Sequence, residues 1–418
     1  METVSTKKLD RFTQNLTPTR IALPKERLDL AKTILGQKDF PTTRDEAWKY
    51  TRVGKIAALE SRTDKSTLAE SVWQSHLNLN FSYAVIFVNG AIQKIVPSTG
   101  KIDGLKITPF SECSEDQLTS ISESAPDVFD ALNLVYLTDG IQLYVEKNAV
   151  IEEPVLFLHY FSGTQGVHHS RVNISLAPNS KLEIIQQFFG QNAEINYGNN
   201  HSEIQIADSA QLEMHKIQVG LKSNYLISRE TVDQSLNSTF TLHTHTSESV
   251  FVRNDTTVRV NGTNSETNLY GSYLLKEDEH VDNHTCIDHR APHCLSNELY
   301  KGVIGGKATA VFNGKVFVRQ DAQKINAFQS NANVLTSDSA SVNSKPELEI
   351  YADDVKCSHG STTGQLDDEA VFYLRARGIS EKAAKDLLIQ AFLDDAFSKT
   401  TNPDVQEILE KTVNTYFG

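Results

Sequence analysis

Ala177-Pro-Asn-Ser-Lys-Leu-Glu-Ile184 returns 30 residues later as Ala207-Asp-Ser-Ala-Gln-Leu-Glu-Met214. The pattern comes twice more, as Ser235-Leu-Asn-Ser-Thr-Phe-Thr-Leu242 and Thr263-Asn-Ser-Glu-Thr-Asn-Leu269. Each copy is a small polar turn, one small residue, then the apolar–polar alternation of a half-buried strand. Anchored on the small residue, Ser180, Ala210, Ser238 and Ser265 lie 30, 28 and 27 residues apart. Ala308 and Ala340 continue the series after steps of 43 and 32. A period near 30 in β texture points to a solenoid, whose stacked coils bury one continuous core. A sandwich of hairpins would need Asn-Gly or Asp-Gly turns between strands, and these are nearly absent. The expected fold is mainly β: a right-handed parallel β-helix core flanked by N-terminal and C-terminal helical regions. The expected boundaries are 1–78, 79–362 and 363–418.

Outward from the repeat, strands are expected at Phe81–Val88, Val135-Tyr-Leu137, Ile141–Val145, Val155–Tyr160, Val172–Leu176 and Leu182–Ile185. No helical stripe occurs between 165 and 350. Before residue 80 the texture is helical. Apolar residues at 28, 30, 31, 34 and 35 form a stripe after Pro24, with Gly36 as a stop. Thr43 followed three residues later by Glu46 reads as a capping box. Trp48 and Trp73 are expected to anchor the local core.

The chain ends in helices. Asp367 caps the first, with Glu369 in its opening turn and Gly378 past its end. Ser380 caps a second from Glu381 to about Phe397, with Leu387, Leu388, Ala391 and Phe392 as its apolar face. Asn402-Pro403-Asp404 starts a third, leading to Ile408, Leu409, Val413 and Tyr416. Such one-sided helices need a surface: the open strand edges of a solenoid, or another protein.

Lys and Arg number 40 against 53 Asp and Glu, a net charge of −13. That balance, without a basic run, excludes nucleic-acid and anionic-membrane binding as an expectation. No apolar stretch approaches the roughly 18 residues of a membrane helix. The opening Met1-Glu-Thr-Val-Ser-Thr-Lys-Lys-Leu-Asp-Arg-Phe12 has no apolar signal core. Four cysteines, Cys113, Cys286, Cys294 and Cys357, are too few for a disulfide framework. A reduced, cytoplasmic setting is the expectation.

Chemistry concentrates in Glu347–Ser380. Leu348-Glu-Ile-Tyr351 alternates like a strand, and Cys357 and His359 follow two residues apart. If the strand continues, period-2 geometry puts both on one face. Gly360 and Gly364 are read as bracketing a polar turn. A thiolate and an imidazole suit zinc or iron, but structural zinc takes four ligands and catalytic zinc three plus water. On spacing alone, a buried structural cysteine beside a solvated histidine is the plainer reading. His280, His284, Cys286, His289, His293 and Cys294 form a second cluster, whose spacing matches no regular zinc site. In a strand, His284, Cys286 and Asp288 face one way, Ile287 and His289 the other. His168-His169 and His243-Thr-His245 read as polar ladders on the solenoid surface. The sequence has no G-x-x-x-x-G-K-[ST], G-x-G-x-x-G or G-x-S-x-G, so no recognised nucleotide loop or nucleophile elbow.

Tyr351-Ala-Asp-Asp-Val-Lys-Cys-Ser-His-Gly360, followed by Gly364-Gln-Leu-Asp-Asp-Glu-Ala-Val-Phe-Tyr-Leu-Arg-Ala-Arg-Gly-Ile-Ser380, closely resembles the SufD scaffold proteins of the SUF iron–sulfur cluster assembly system. Glu298-Leu-Tyr-Lys-Gly302, Val311-Phe-Asn-Gly314 and Lys345-Pro-Glu-Leu-Glu-Ile350 look like the same family. The likeness is dense from about 280 to 380 and weaker before 150. It implies a β-helix between helical ends and a scaffold that is not an enzyme by itself. It implies His359, with Cys357 beside it, as the cluster or metal candidates at an interface with a SufB-like paralogue. It implies docking of a SufC-like ATPase through the C-terminal helices, with Leu366, Phe372, Tyr373, Arg377, Leu387, Leu388 and Phe392 as candidate contacts. No cofactor is expected to bind the isolated chain tightly; iron or a nascent cluster would be transient cargo. A homodimer is an open alternative for the chain alone. The nearest rival is a SufB-like scaffold, which carries the main cluster-building cysteines. A more distant one is a β-helix carbohydrate-active enzyme, which needs clustered carboxylates or a calcium site. Its nearest candidates are Asp353-Asp354 and Asp367-Asp368-Glu369, at the junction itself.

Overall fold

The structure, a computed structural model, describes residues 7–59, 69–74, 79–98, 102–118, 127–162, 166–190 and 195–417, with 67, 76, 77 and 100 between them. Residues 1–6, part of the stretch read above for a targeting signal, lie outside them. Nineteen strands are described: β1 (Tyr83–Val88), β2 (Ala91–Pro97), β3 (Leu105–Pro109), β4 (Asp139–Val145), β5 (Val155–Phe161), β6 (Val167–Leu176), β7 (Lys181–Gly190), β8 (Asn196–Ile206), β9 (Gln211–Val219), β10 (Asn224–Gln234), β11 (Thr239–Ser247), β12 (Phe251–Val260), β13 (Glu266–Leu275), β14 (His280–His289), β15 (Leu295–Ile304), β16 (Thr309–Val318), β17 (Asn326–Leu335), β18 (Ser341–Ile350) and β19 (Lys356–Gln365). The helices are α1 (Lys8–Thr13), α2 (Lys25–Gln37), α3 (Gly54–Ala57), α4 (Glu70–Gln74), α5 (Val128–Val135), α6 (Asp368–Arg375), α7 (Glu381–Phe397) and α8 (Pro403–Phe417).

From β4 onward the chain alternates between two sheets. Even strands build one in the order β18-β16-β14-β12-β10-β8-β6-β4-β3, odd strands the other in the order β19-β17-β15-β13-β11-β9-β7-β5-β1-β2. From β4 and β5 on, neighbours within each sheet pair in parallel. Each coil therefore gives one strand to each sheet, and the expected parallel solenoid is what the chain forms. Inward side chains such as Ile184, Leu212, Leu242, Val258, Ile287 and Val316 stack into one core between the sheets. The first coils end in antiparallel β1–β2 and β3–β4 pairings. The last coil ends in two bare parallel strands, β18 and β19, each the terminal strand of its sheet.

The turns explain the repeat. Asn179, Ser209, Asn237, Asn264, His293 and Lys324 all adopt left-handed backbone, with φ of 58°, 58°, 54°, 59°, 62° and 61°. Asparagine accepts that conformation more readily than most residues. Each is followed by a buried inward residue: Ser180, Ala210, Ser238, Ser265, Cys294 and Ile325. The series in this sheet thus runs through Cys294 and Ile325. Ala308 and Ala340 open β16 and β18 in the other sheet, so the step of 43 marks a change of sheet rather than a long coil.

Helices cover both outer faces. Phe12, Trp48 and Phe129 pack on Tyr197, Tyr225 and Phe251 of the even sheet. Ile389 and Leu393 of α7 and Val413 of α8 pack on Leu274 and Val303 of the odd sheet. Val405 and Leu409 join Ile185, Ile217 and Trp73 on that same side.

Several local expectations give way. Val135-Tyr-Leu137 is not a strand: Val135 closes α5, which is capped by Asp127 accepting from the Asp130 amide at 2.8 Å and is buried all round. Thr43 caps nothing; a short 3₁₀ turn at Glu46–Trp48 follows Asp45. Gly360 and Gly364 lie inside β19, not around a turn. The strand escaped reading because its residues are polar and exposed almost throughout, with Cys357 its apolar contact to the core. His168 and His169 are buried, not surface polar residues. In α7 the buried face is Ala384, Ile389, Leu393 and Ala396, about a third of a turn from the one expected. The caps at Asp367 and Ser380 hold as read.

Candidate functional site

Strand β18 ends at Ile350, and Cys357 and His359 ride on the separate strand β19. In the parallel register with β17, Cys357 stands opposite Ala327 and His359 opposite Gln329. Ala327 belongs to the solenoid core, and Cys357 packs against that core. His359, two residues on, therefore shares the inward face with Cys357. The interior is open here because no further coil covers it, so His359 is exposed while Cys357 is half-buried. Burial pushes the Cys357 thiol up, which favours its protonated form.

Beneath His359 runs a polar file that the sequence pattern did not reveal. Gln329 stands over Glu298 in register. Its Nε2 donates to Glu298 Oε2 at 2.6 Å. Thr285 of the opposite sheet donates to Glu298 Oε1. Glu298 is buried, and burial pushes its carboxyl up to about 7 against both hydrogen bonds. Thr285, Glu298 and Gln329 thus lead from the interior to His359 at the open edge. The signal was an acid at a buried, inward position of β15, between Ser296 and Tyr300 in the alternation. On the outer side, Tyr270, Leu299, Phe328 and Lys399 frame a groove of about 610 Å³ that reaches Ser358, His359 and Gly360.

The other histidine and cysteine cluster does not converge. His284, Cys286 and Asp288 face outward from β14 and open onto a groove of about 580 Å³, whose Arg229, Arg253, Asp255 and Asp288 are paired within the protein. Burial pushes Cys286 up to about 11. Ile287 and His289 face inward, and His289 Nε2 lies 2.9 Å from Ser296 Oγ. His293 is the left-handed turn residue and Cys294 the buried turn anchor.

Two helices leave apolar surface bare. Phe372 and Tyr373 of α6 are 72% and 56% exposed, and Leu387 of α7 is 48% exposed. Arg377 lies over the Tyr373 ring at 4.3 Å. Leu366 and Phe392 are half-buried against the α7 contact with the solenoid, and Leu388 is half-buried beside them.

The chain is a two-sheet parallel solenoid, helix-covered on both faces and open at the end that carries a thiol and an imidazole. The chain belongs to the family of the SufBD core domain of SUF-system iron–sulfur cluster assembly, whose model matches residues 159–392. It is 29% identical over 370 residues to the iron–sulfur cluster assembly protein SufD of Escherichia coli, covering 84% of each chain. It is 27% identical over 403 residues to a SufBD family protein of Synechocystis, covering 92% of this chain and 89% of that one. With protein ABCI7, chloroplastic, of Arabidopsis thaliana it shares 26% identity over 408 residues, 92% and 85% of the two chains. Among the described residues, no helix is long and apolar enough to cross a membrane.

Proposed function

We propose that this chain is the SufD-type subunit of a SufB–SufC–SufD complex and works there as a scaffold, without enzymatic activity of its own. The observation that carries this reading is the bare terminal pair β18 and β19, with Cys357 and His359 on the inward side of the open end. An unpaired strand edge recruits another strand. A SufB-like paralogue seated there would bring its own ligands opposite His359 and complete a set that two residues cannot. Iron or a nascent cluster is then cargo held between the subunits, not a resident group. The uncovered Phe372, Tyr373 and Leu387, with Arg377, supply the surface for a SufC-like ATPase. The setting is the cytoplasm. Co-expression with the SufB-type and SufC-type proteins of the same cell, followed by purification on this chain, is the test. A stable three-component complex is expected. Recovery of the chain alone, or only as a homodimer, overturns the reading.

A further inference from the structure

On the outer face of the odd sheet, four side chains from three adjacent strands meet near the start of α8. Glu183 comes from β7, Glu213 and His215 from β9, and His243 from β11. The register sets Glu183 level with Glu213, and His215 level with His243. His215 Nε2 lies 3.0 Å from Glu183 Oε1 and 3.5 Å from Glu213 Oε1. His243 Nε2 lies 3.1 Å from the same Glu213 oxygen. One donor atom from each of Glu213, His215 and His243 falls within 4.8 Å of the others. Around a tetrahedral metal with bonds of about 2.1 Å, neighbouring donors stand roughly 3.4 Å apart. Glu213 Oε1 stands 3.5 and 3.1 Å from the two ring nitrogens, straddling that value, and Glu183 adjoins this group of three through its 3.0 Å contact with His215.

The charge balance points the same way. Among the described residues, neither Glu183 nor Glu213 has a lysine or arginine within ion-pair distance; both meet the imidazoles, Glu183 also accepts from Asn402, and Lys181 is the cation whose charge reaches Glu213. The two imidazole rings are stacked with centroids 4.7 Å apart. Two neighbouring carboxylates thus face two imidazoles, and a dication would neutralise the carboxylate pair while taking a lone pair from each ring. The carboxylates are 24% and 34% exposed, so an ion has a way in.

We propose that Glu183, Glu213, His215 and His243 form a site for a divalent first-row transition metal, separate from the Cys357/His359 end. Two imidazoles and two carboxylates, without thiolate, suit Zn(II), Fe(II) or Co(II) as a single ion rather than a cluster. The site also reaches the C-terminal helices. Asn402, whose Oδ1 accepts from the amides of Asp404 and Val405 at the start of α8, donates to Glu183 Oε1 at 2.6 Å.

The test uses the full chain, untagged and stripped with chelator, titrated with Co(II) and followed by visible absorption, with Zn(II) in competition. About one equivalent should bind with the bands of a low-coordinate Co(II) site. Glu213→Gln and His243→Gln should each weaken binding by about ten-fold or more. His359→Ala and Cys357→Ser should leave it unchanged, which separates this site from the proposed assembly interface. Glu213→Gln retains a hydrogen-bonding side chain of the same shape and is partly exposed, so it reports on ligation even if a histidine variant fails to fold. Saturable binding that survives Glu213→Gln undiminished, or no saturable binding by the wild-type chain, overturns the proposal.

Discussion

Glu298 Oε2 and Gln329 Nε2 lie 2.6 Å apart inside the solenoid, two rungs and one rung below His359 respectively. The Gln329 amide oxygen is buried without a partner. Turning the amide over would place that oxygen against Glu298, where a protonated carboxyl can donate to it. This fits a carboxyl pushed up to about 7 by burial.

The consequence for stability has a definite sign. With a folded value near 7 and an ordinary value of 4.5, Glu298 holds its proton more tightly in the folded chain. Its contribution is present below pH 4.5 and is lost as pH rises through 7. Glu298→Gln is always neutral and escapes that loss. The variant should match wild type near pH 4 and exceed it near pH 8, by on the order of 3 kcal/mol. Urea midpoints across that range test it. A difference that does not change with pH shows that Glu298 is ionised in the folded protein.

Four histidines act in the opposite direction. Burial pushes His159, His168, His169 and His245 down to about 3. In the unfolded chain each charges as pH falls below about 6.5. Their contribution is present above that pH and is lost on acidification down to the folded value, at up to about 1.4 kcal/mol per residue per pH unit. Four such groups outweigh one glutamate, so the solenoid should lose stability steeply between pH 6.5 and 4. His245→Gln should flatten that slope by up to about 1.4 kcal/mol per pH unit. An unchanged slope in the variant would mean that His245 titrates in the folded state as it does unfolded.

How far the fold could be read follows from what each strand faces. The coil repeat was legible because the turns of β7, β9, β11 and β13 reuse Asn or Ser before a small inward residue. It faded where Cys294 and Ile325 take the same position with larger side chains. β19 was misread because an edge strand has few core contacts, and only Cys357 marks its inward face. The Cys357/His359 pair was legible because both residues lie on one strand. Glu183, Glu213, His215 and His243 were not, because coil-length stretches of sequence separate three of the strands' contributions and only stacking joins them.

The C-terminal helices separate two roles that the sequence merged. Leu393 is buried against Leu274 and Val303, whereas Leu387 and Phe372 face solvent. Leu393→Ala should cost about 2–5 kcal/mol through the cavity it leaves. Leu387→Asp and Phe372→Asp should shift stability by less than about 0.5 kcal/mol. The same two variants should lose capture of the SufC-type ATPase in a pull-down. If the aspartate variants still retain the ATPase while a folded Leu393→Ala chain loses it, the docking face lies elsewhere on these helices.

His359 carries the central prediction. It stands on the terminal strand, exposed, at the mouth of the polar file from Glu298, while Cys357 is half-buried against Ala327 with its protonated thiol favoured. An exposed imidazole can meet a ligand set brought by a partner; a thiol packed on the core has to give up its proton and part of its contact first. Neither residue holds the coil together: β19 stays paired to β17 through backbone hydrogen bonds whatever its side chains. His359→Ala should therefore leave the complex assembled and cut cluster delivery by about ten-fold or more. Cys357→Ser should impair it less. The measurement is the activity of an iron–sulfur enzyme in cells that depend on this pathway, alongside co-purification of the partners. Normal maturation with His359→Ala would reduce the open end to a structural edge. Loss of assembly with the same variant would make His359 an interface contact rather than a ligand.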